Sequence, residues 1–289
     1  MQVVVFEARS NFGHFRSFEA TRGNYSFPFP PRTALLGLIG AILGIDRDGY
    51  WRKSHSLRQA KLALEILTPV RRMGLKVHFS RTREVTRIGK GADRVIFYFP
   101  NKPAHPEERG FITQVRLDLL QNPHYRIYFS GEKSIQTELA ERLESHRYVF
   151  PPYFGHANLL ASLSYIGTFP AQPVKPGIHE VSGIIPTSYL DLKDPRVDLG
   201  EFEIVYGVPV SYSHVDDLSI PKKGGFSEVR LESKGNFILQ ISESGQVTKA
   251  AYGENADLFS LKIHSNSYEN TKSVNSSPIS LAFWPKGDS

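Results

Sequence analysis

The stretch from Ser26 to Ile45, SFPFPPRTALLGLIGAILGI, constrains the fold more than any other part of the chain. Three prolines hold its beginning extended, because proline fixes the backbone and is excluded from a helix interior: Pro28, Pro30 and Pro31. Thr33 stands where an N-cap hydroxyl accepts an amide of the first turn, so the pattern predicts a helix that begins near Ala34. Apolar residues then follow almost all the way round, which is typical of a helix buried in protein.

Glycines recur along the same segment at Gly37, Gly40 and Gly44, and this spacing places them on one helical face. Each helical glycine costs about 1 kcal/mol relative to alanine. The burial of six Leu or Ile side chains contributes about 1.5–3 kcal/mol each, which outweighs that cost. The apolar run is shorter than the roughly 20 residues that a membrane span needs. We therefore expect a core helix whose glycine face lies close against a neighbouring β-sheet.

The composition favours a cytoplasmic protein. The 289 residues include no cysteine, which excludes disulfides and thiolate metal sites and fits a reducing compartment. The first residues, MQVVVFEARS, lack a basic segment followed by a long apolar one, so a secretory signal is not expected. We expect no membrane association.

Positive charge is concentrated in one segment. The whole chain has a formal charge of +6, and between Arg71 and Lys102 there are nine basic residues against two acidic ones. The remaining 26 basic and 27 acidic residues nearly cancel. A cationic segment without an amphipathic apolar face indicates a polyanionic partner, with nucleic acid favoured over a membrane.

The order of predicted elements indicates an α+β fold. Residues 2–8, 62–70, 125–130 and 159–169 contain strands, and the periodic segments after Thr33 and from Lys133 to His146 are helices. With the basic segment set aside as an inserted β-hairpin around Gly89 and Gly91, the order is βαββαβ, the ferredoxin-like arrangement of RNA-recognition domains. The predicted domains are 1–178, with an insertion at about 71–115, and an all-β domain at 179–289 in which Lys234-Gly235 is a hairpin turn.

Several segments resemble a known family. FPFPPRTALLGLIGAILGI, preceded by Phe15-Arg16 and Tyr25, resembles the signature of CRISPR-associated protein family five, of the RAMP superfamily. Further similar segments follow in the family's order: Thr113-Gln114, Asn122 to Arg126, Pro152 to Gly155 and Ile184 to Pro186. After Tyr153 the chain departs from the family pattern, with Phe154 to Asn158 in place of Leu, Gly and a Ser-Glu pair.

This resemblance implies a function in antiviral defence. The family member is the subunit of type I Cascade that caps the 5′ handle of the crRNA, the guide, and contacts the large subunit and a backbone subunit. Target DNA is reached only through the complex. The basic insertion would be the family's thumb, a hairpin that clamps the handle.

The candidate RNA contacts combine charge and aromatic residues. We expect phosphate contacts from Arg16, Arg32, Arg71, Arg72, Lys76, Arg81, Arg83, Arg87, Lys90 and Arg94. Base-stacking candidates are Phe79, Phe97 and Tyr98. No metal and no cofactor are expected.

Two alternatives remain open. One branch of the family is a metal-independent endoribonuclease that processes pre-crRNA with tyrosine, lysine and histidine, and histidine suits such acid–base chemistry. The Lys-His dipeptide of that branch has no counterpart here, where His124 follows Pro123, so His124, His146 and His156 are interpreted as ordinary core or surface residues. The other alternative is a general RNA-binding protein without a preferred handle. The favoured interpretation is a non-catalytic subunit.

Overall fold

The computed structural model has a mixed α+β architecture that consists mostly of strands, in agreement with the predicted class. It describes residues 1–17, 25–46, 49–52, 55–80, 84–88, 95–98, 112–190, 202–214, 229–240, 247–263 and 278–284. Side chains are described throughout these ranges except at 78–80, 84–88, 95–98, 112–115, 202, 229, 239–240 and 247–251.

The helices of the described chain are two α-helices and three short 3₁₀ turns. They are α1 (Arg32–Leu43), α2 (Lys133–Glu144), and the turns Gly49–Trp51, Ser56–Gln59 and Thr187–Tyr189. The strands of the first half are β1 (Gln2–Arg9), β2 (Phe12–Gly13), β3 (Phe15–Arg16), β4 (Ser26–Phe27), β5 (Lys61–Ile66), β6 (Arg71–Ser80), β7 (Glu84–Ile88), β8 (Val95–Tyr98), β9 (Ile112–Gln121) and β10 (His124–Ser130). Those of the second half are β11 (Ser162–Pro173), β12 (Gly177–Ser182), β13 (Ile185–Pro186), β14 (Phe202–His214), β15 (Val229–Gln240), β16 (Val247–Tyr252), β17 (Leu258–Leu261) and β18 (Ile279–Ala282).

The centre of the fold is a sheet of eight strands in the order β16-β12-β18-β17-β11-β1-β10-β5. Strand β1 is antiparallel to both of its neighbours, with Val4 opposite Phe129 of β10 and Thr168 of β11. Alternate residues of β1 point to opposite faces, as a strand requires. Val4 and Phe6 join the core cluster that contains α1 and α2. Val3 joins a second cluster, which also includes residues of β11, β17 and β18.

Helix α1 begins two residues earlier than the sequence predicted. Its first residue is Arg32 and its N-cap is Pro31, with no side-chain hydrogen bond to the cap. The prediction of Thr33 as N-cap was therefore wrong, because proline at this position already has the extended backbone of a cap residue (ψ 159°) and needs no hydroxyl. The helix ends at Gly44, which has a left-handed conformation (φ 77°), a common way for helices to end.

The glycine face of α1 lies against an aromatic ring. A Cβ added at Gly37 would lie 3.1 Å from the hydroxyl of Tyr50, and one added at Gly40 would lie 3.2 Å from Cε1 of the same ring. Gly44 instead lies against Val149. The close approach was predicted correctly, but the expected partner, the sheet, was wrong. Tyr50 lies on a 3₁₀ turn that follows the helix, and a ring needs the space that two absent side chains leave.

The second half of the described chain contains strands and one 3₁₀ turn, without an α-helix. Strands β14 and β15 form a long antiparallel pair in which Lys234 and Gly235 lie opposite Pro209 and Val208. The prediction of a hairpin turn at these residues was therefore wrong, since β15 passes through them without a break. The large sheet also continues from β11 into β17, so the boundary predicted after residue 178 stays a prediction.

The outer edge of β5 is covered by later segments of the chain. The amide of Ile184 donates to the carbonyl of Leu64 (2.9 Å), and the amide of Trp284 donates to the carbonyl of Leu62 (2.7 Å). The indole of Trp284 also donates to the carbonyl of Ile184 (3.0 Å). These bonds protect an edge strand that would otherwise offer unpaired backbone groups.

A charged network crosses β1, β10 and β5. The carboxylate of Glu7 accepts hydrogen bonds from Arg126 (2.8 and 3.1 Å) and lies 3.0 Å from His124 Nε2. Arg126 also reaches Glu65 at 3.4 Å, and the hydroxyl of Tyr128 donates to Glu65 at 2.7 Å. The hydrogen bond with His124 and the charge of Arg126 lower the pKa of Glu7 to about 2, although burial opposes this shift.

No helix in the described ranges is long and apolar enough to cross a bilayer.

The Gly40→Leu substitution should destabilise the protein by about 1–3 kcal/mol, because the new side chain meets the Tyr50 ring. Removing the ring in a Gly40→Leu/Tyr50→Ala double variant should relieve the clash and restore part of the lost stability. Chemical denaturation of the four members of this cycle measures the coupling. Gly49→Ala is the control, because its Cβ would meet nothing closer than 3.8 Å. Strict additivity of the two changes would contradict the assignment of Tyr50 as the packing partner.

The Glu7→Gln substitution should lower stability at neutral pH and reduce its dependence on acid. The folded-state pKa of Glu7, about 2, lies below the ordinary value of 4.5, so its contribution is complete above about pH 5 and is lost as pH falls towards 2. We expect the wild type to lose about 1–3 kcal/mol more than the variant between pH 5 and pH 2. Urea unfolding at each pH measures this, with exposed Glu144→Gln as the control. Parallel pH profiles for wild type and Glu7→Gln would refute it.

Candidate nucleic-acid interface

The basic segment is organised on a long two-stranded ribbon. Strands β6 and β9, of ten residues each, pair without a break from Arg71 opposite Gln121 to Ser80 opposite Ile112. At about 3.3 Å per residue this ribbon is roughly 30 Å long. Strand β2 pairs with β9 at the root, where Phe12 lies opposite Gln121. The smaller pair β7–β8 lies between the two long strands in the sequence.

Four basic residues are exposed on the described part of this ribbon: Arg71, Arg72, Lys76 and Arg116. Arg116 was missed by the sequence analysis, because the segment VRLDLL that contains it shows no excess of charge. In the structure it lies directly opposite Lys76 in the strand register. Like charges that face each other across a strand pair are unfavourable. A polyanion bound on this face would relieve that repulsion.

Gly74 provides the space in which Arg116 lies. A Cβ at Gly74 would be 3.1 Å from Nε and Nη2 of Arg116. The guanidinium therefore lies over the backbone of β6 rather than extending away from the ribbon. This position directs the positive charge along the face of the ribbon, between Arg72 and Lys76 of the same strand.

The other predicted contacts of the basic segment lie outside the described residues, either wholly or by their side chains. Arg81, Arg83, Lys90 and Arg94 lie outside the described residues. Arg87 of β7, Phe79 of β6, and Phe97 and Tyr98 of β8 have described backbones, but their side chains are outside the description. Their roles in phosphate contact and base stacking stay predictions.

Arg16 is exposed on β3, and it pairs with Ser26 of β4 close to the root of the ribbon. The amide of Ser26 donates to the carboxylate of Asp118 on β9 (3.3 Å). Arg16 thus lies beside the ribbon although 55 residues separate it from Arg71 in the sequence. The contact between β4 and β9 thus brings Arg16 close to the root of the ribbon, where Arg71 begins β6.

Arg32 does not lie at the surface, so the prediction of an RNA contact at this residue was wrong. Its relative exposure is 0%, and its guanidinium donates to the carbonyls of Val210 (3.2 Å), Arg58 (2.7 Å) and Ala60 (2.8 Å). Burial, with a smaller effect of the Arg58 charge, lowers the pKa of Arg32 to about 10. At neutral pH the group is a buried cation that joins three chain segments.

Two histidines contact each other at the root of the ribbon, and the sequence analysis did not predict this contact. The rings of His14 and His156 lie 5.4 Å apart, centroid to centroid. His14 is 2% exposed, and its Nδ1 lies 2.7 Å from the carbonyl oxygen of Asp118. The two histidines are 142 positions apart, so no local pattern relates them. One indication of a special backbone at this point was present in the sequence, Gly155, which lies in a segment that resembles a family motif.

The other histidines considered have structural partners. His124 lies in the Glu7 network, and His146 contacts the hydroxyl of Tyr148 at 3.0 Å. Among the described residues, no group of three or more His, Asp or Glu side chains could hold a metal ion. A cleft at the ribbon root, beside Pro28, Val70 and Arg71, has a volume of about 10 Å³ and cannot hold a nucleobase. The candidate interface is therefore an open, cationic surface.

Replacement of Arg32 by alanine should reduce the free energy of unfolding by about 2–4 kcal/mol, because three carbonyls lose a charged donor and a cavity forms. The exposed Arg16→Ala control should change it by less than about 0.5 kcal/mol. Thermal and urea unfolding measure both. A normally stable Arg32→Ala protein with weakened RNA binding would instead support the original surface interpretation.

Comparison with solved structures finds CRISPR proteins at low identity. One is a chain of a CRISPR RNA-guided surveillance complex (12% identity, 88% of this chain and 95% of that chain covered, TM-score 0.48). A second is a CRISPR protein from Archaeoglobus fulgidus (10% identity, 91% and 95% covered, TM-score 0.44). A third comes from a type III-B Cmr-beta complex bound to cognate target RNA and AMPPnP (13% identity, 86% and 86% covered, TM-score 0.39).

The sequence comparisons identify the family. No curated protein matches the chain. The family model described as CRISPR-associated protein (Cas_Cas5) matches residues 3–222, which is well over half of the chain and includes the proline-helix segment, the ribbon and both histidines. The chain belongs to the Cas5 family of CRISPR-associated proteins.

Proposed function

We propose that the protein is a non-catalytic, RNA-binding subunit of a type I CRISPR surveillance complex, and that it holds the 5′ handle of the crRNA. The observation that carries this proposal is the exposed face of the β6–β9 ribbon, where Lys76 and Arg116 lie directly opposite each other. Stability alone does not favour that arrangement, whereas a bound phosphate backbone does. Membership of a CRISPR-associated family makes a CRISPR RNA the natural polyanion.

The order of elements around the ribbon supports a ferredoxin-like core. Strands β1, β5, β10 and β11, with α1 after β1 and α2 after β10, follow the order βαββαβ. In the sheet these strands have the order β11-β1-β10-β5, and each pair is antiparallel. The ribbon is inserted between β5 and β10, the second and third strands of this core. We assign the ribbon as the thumb that clamps the handle.

The proposed partners follow from this assignment. The ribbon binds the crRNA handle, and the other surfaces contact the large subunit and the first backbone subunit of the complex. Base pairing with the guide selects the target DNA, so this subunit recognises backbone and handle shape. A non-catalytic role fits an interface built from guanidinium and ammonium groups, because holding phosphates requires only charge and position.

The triple substitution Arg71→Glu/Arg72→Glu/Lys76→Glu should weaken binding to a single-stranded RNA that carries the native 5′ handle. It should also reduce the slope of log K against log salt by about 2, since each lost phosphate contact contributes about 0.7. Fluorescence anisotropy at salt concentrations from about 50 to about 300 mM measures both the affinity and its salt dependence.

The matched control reverses three exposed basic residues elsewhere, Lys133, Arg147 and Lys175, for the same change in net charge. Equal losses for the two triple variants would refute the ribbon as the RNA site. Equal affinity for a scrambled RNA would favour a general RNA-binding protein instead. Discrete cleavage of repeat RNA by the wild type in EDTA would favour the endoribonuclease.

A further inference from the structure

His14 and His156 meet where two distant segments pack against each other. Their rings are tilted by 41° at a centroid distance of 5.4 Å. His14 lies on the connection between β2 and β3 and is almost fully buried, whereas His156 lies on the turn after Phe154 and is exposed. A solvent-facing imidazole thus covers a buried one.

Hydrogen bonding fixes the His14 ring. Its Nδ1 lies 2.7 Å from the carbonyl oxygen of Asp118, and a carbonyl can only accept, so Nδ1 carries the proton. Nε2 is therefore the nitrogen that gains a proton when His14 becomes charged. The Asp118 carbonyl is the only hydrogen-bond partner of the ring in the described part of the chain.

The turn that carries His156 is held against the backbone of His14. The amide of His14 donates to the carbonyl of Phe154 at 3.1 Å. Gly155 has a left-handed backbone (φ 85°), and a Cβ at this position would overlap the carbonyl oxygen of His14. Only glycine permits this approach. The backbone therefore holds the segment that carries His156 directly against the segment that carries His14.

The charges that act on His14 come from each element packed against it: Arg16 on β3, His156 on the turn and Asp118 on β9. Arg16 and His156 both disfavour the imidazolium, while Asp118 favours it. The Asp118 carboxylate already accepts a hydrogen bond from the amide of Ser26. Burial, with smaller effects of His156 and Arg16, lowers the pKa of His14. An anion at this point would offset that effect.

The pair also continues the line of cations on the ribbon. Asp118, which holds His14, lies opposite Gly74 and two residues from Arg116 on β9. Two residues along a strand correspond to roughly 7 Å. An RNA backbone that follows the ribbon past Arg116 would therefore reach His14, His156 and Arg16 at its root.

We propose that His14, His156 and Arg16 form a phosphate-binding subsite for a phosphodiester of bound RNA, and that protonation of the histidine pair strengthens it. This inference rests on the proposed function as an RNA-binding subunit. The exposed His156 imidazolium and the Arg16 guanidinium donate hydrogen bonds to phosphate oxygens. The charge of buried His14 lies directly behind them, and the phosphate relieves the repulsion among the three cations. Binding of RNA at this subsite takes up protons.

The test measures affinity for the handle RNA at pH 8.0 and pH 5.5 at constant ionic strength, for the wild type, His156→Gln and a control, His179→Gln on β12. We expect the wild type and the control to bind about tenfold more tightly at the lower pH, as a pKa shift of one unit in one group implies. The His156→Gln protein should lose most of this gain, so that its affinities at the two pH values become nearly equal. His14→Asn, which keeps a donor for the Asp118 carbonyl but cannot titrate, should behave in the same way.

The outcomes separate this inference from the proposed function. If the RNA fails to bind at either pH, the proposed function fails. If it binds but His156→Gln keeps the full pH dependence, the subsite is refuted and the proposed function stands.

In a competition arm at pH 5.5, millimolar inorganic phosphate should displace little RNA. Equal RNA affinity of the wild type and His156→Gln at pH 5.5, with inorganic phosphate bound by the wild type alone, would assign the subsite to free phosphate and overturn the phosphodiester. Shortening of the RNA that requires both histidines would overturn binding in favour of acid–base cleavage.

Discussion

The guanidinium of Arg32 is enclosed by backbone carbonyls from two distant parts of the chain, and much of the architecture depends on this contact. Arg58 lies in the 3₁₀ turn before β5, Ala60 directly follows that turn, and Val210 lies on β14. The side chain of Arg58 in turn donates to both carboxylate oxygens of Glu232 on β15 (2.9 Å each). A buried cation is tolerated where carbonyl dipoles satisfy it, and removing such a donor leaves buried acceptors without a partner. The first helix is thereby tied to the second half of the protein.

Local pattern predicted this helix well and its partners poorly. Burial of α1 follows from apolar residues on all sides, which is a property of the segment itself. The role of Arg32 depends on Val210, 178 residues later, and an arginine in an unplaced sequence is ordinarily a surface residue. The glycine face was visible as spacing, yet Tyr50 as its partner depends on the path of the chain after the helix. The Lys234-Gly235 pair has turn composition, but the pairing of β15 with β14 overrides it.

The candidate interface likewise has features that the sequence predicted and features that only the structure shows. Counting charges was sufficient to locate the basic segment, because charge density is a property of composition. The position of Arg116 opposite Lys76 required the register of β6 and β9, which a sequence without a clear turn between these strands does not define. Gly74 illustrates the difference, since its function is to leave room for a side chain on the other strand. The contact between His14 and His156 likewise exists only because Gly155 lets two backbones approach.

The proline segment joins these two regions, and this explains why it is so constrained. At one end, the amide of Ser26 donates to the Asp118 carboxylate on β9, which fixes the root of the ribbon. In the middle, the carbonyl of Pro28 accepts from the hydroxyl of buried Tyr125 on β10 (3.1 Å). At the other end, Arg32 holds the second half of the chain. An extended, proline-stiffened connection keeps the distance between its two ends nearly constant. The cationic face of the ribbon is therefore held in a fixed position relative to the core by the segment from Ser26 to Arg32, which leads into the buried helix.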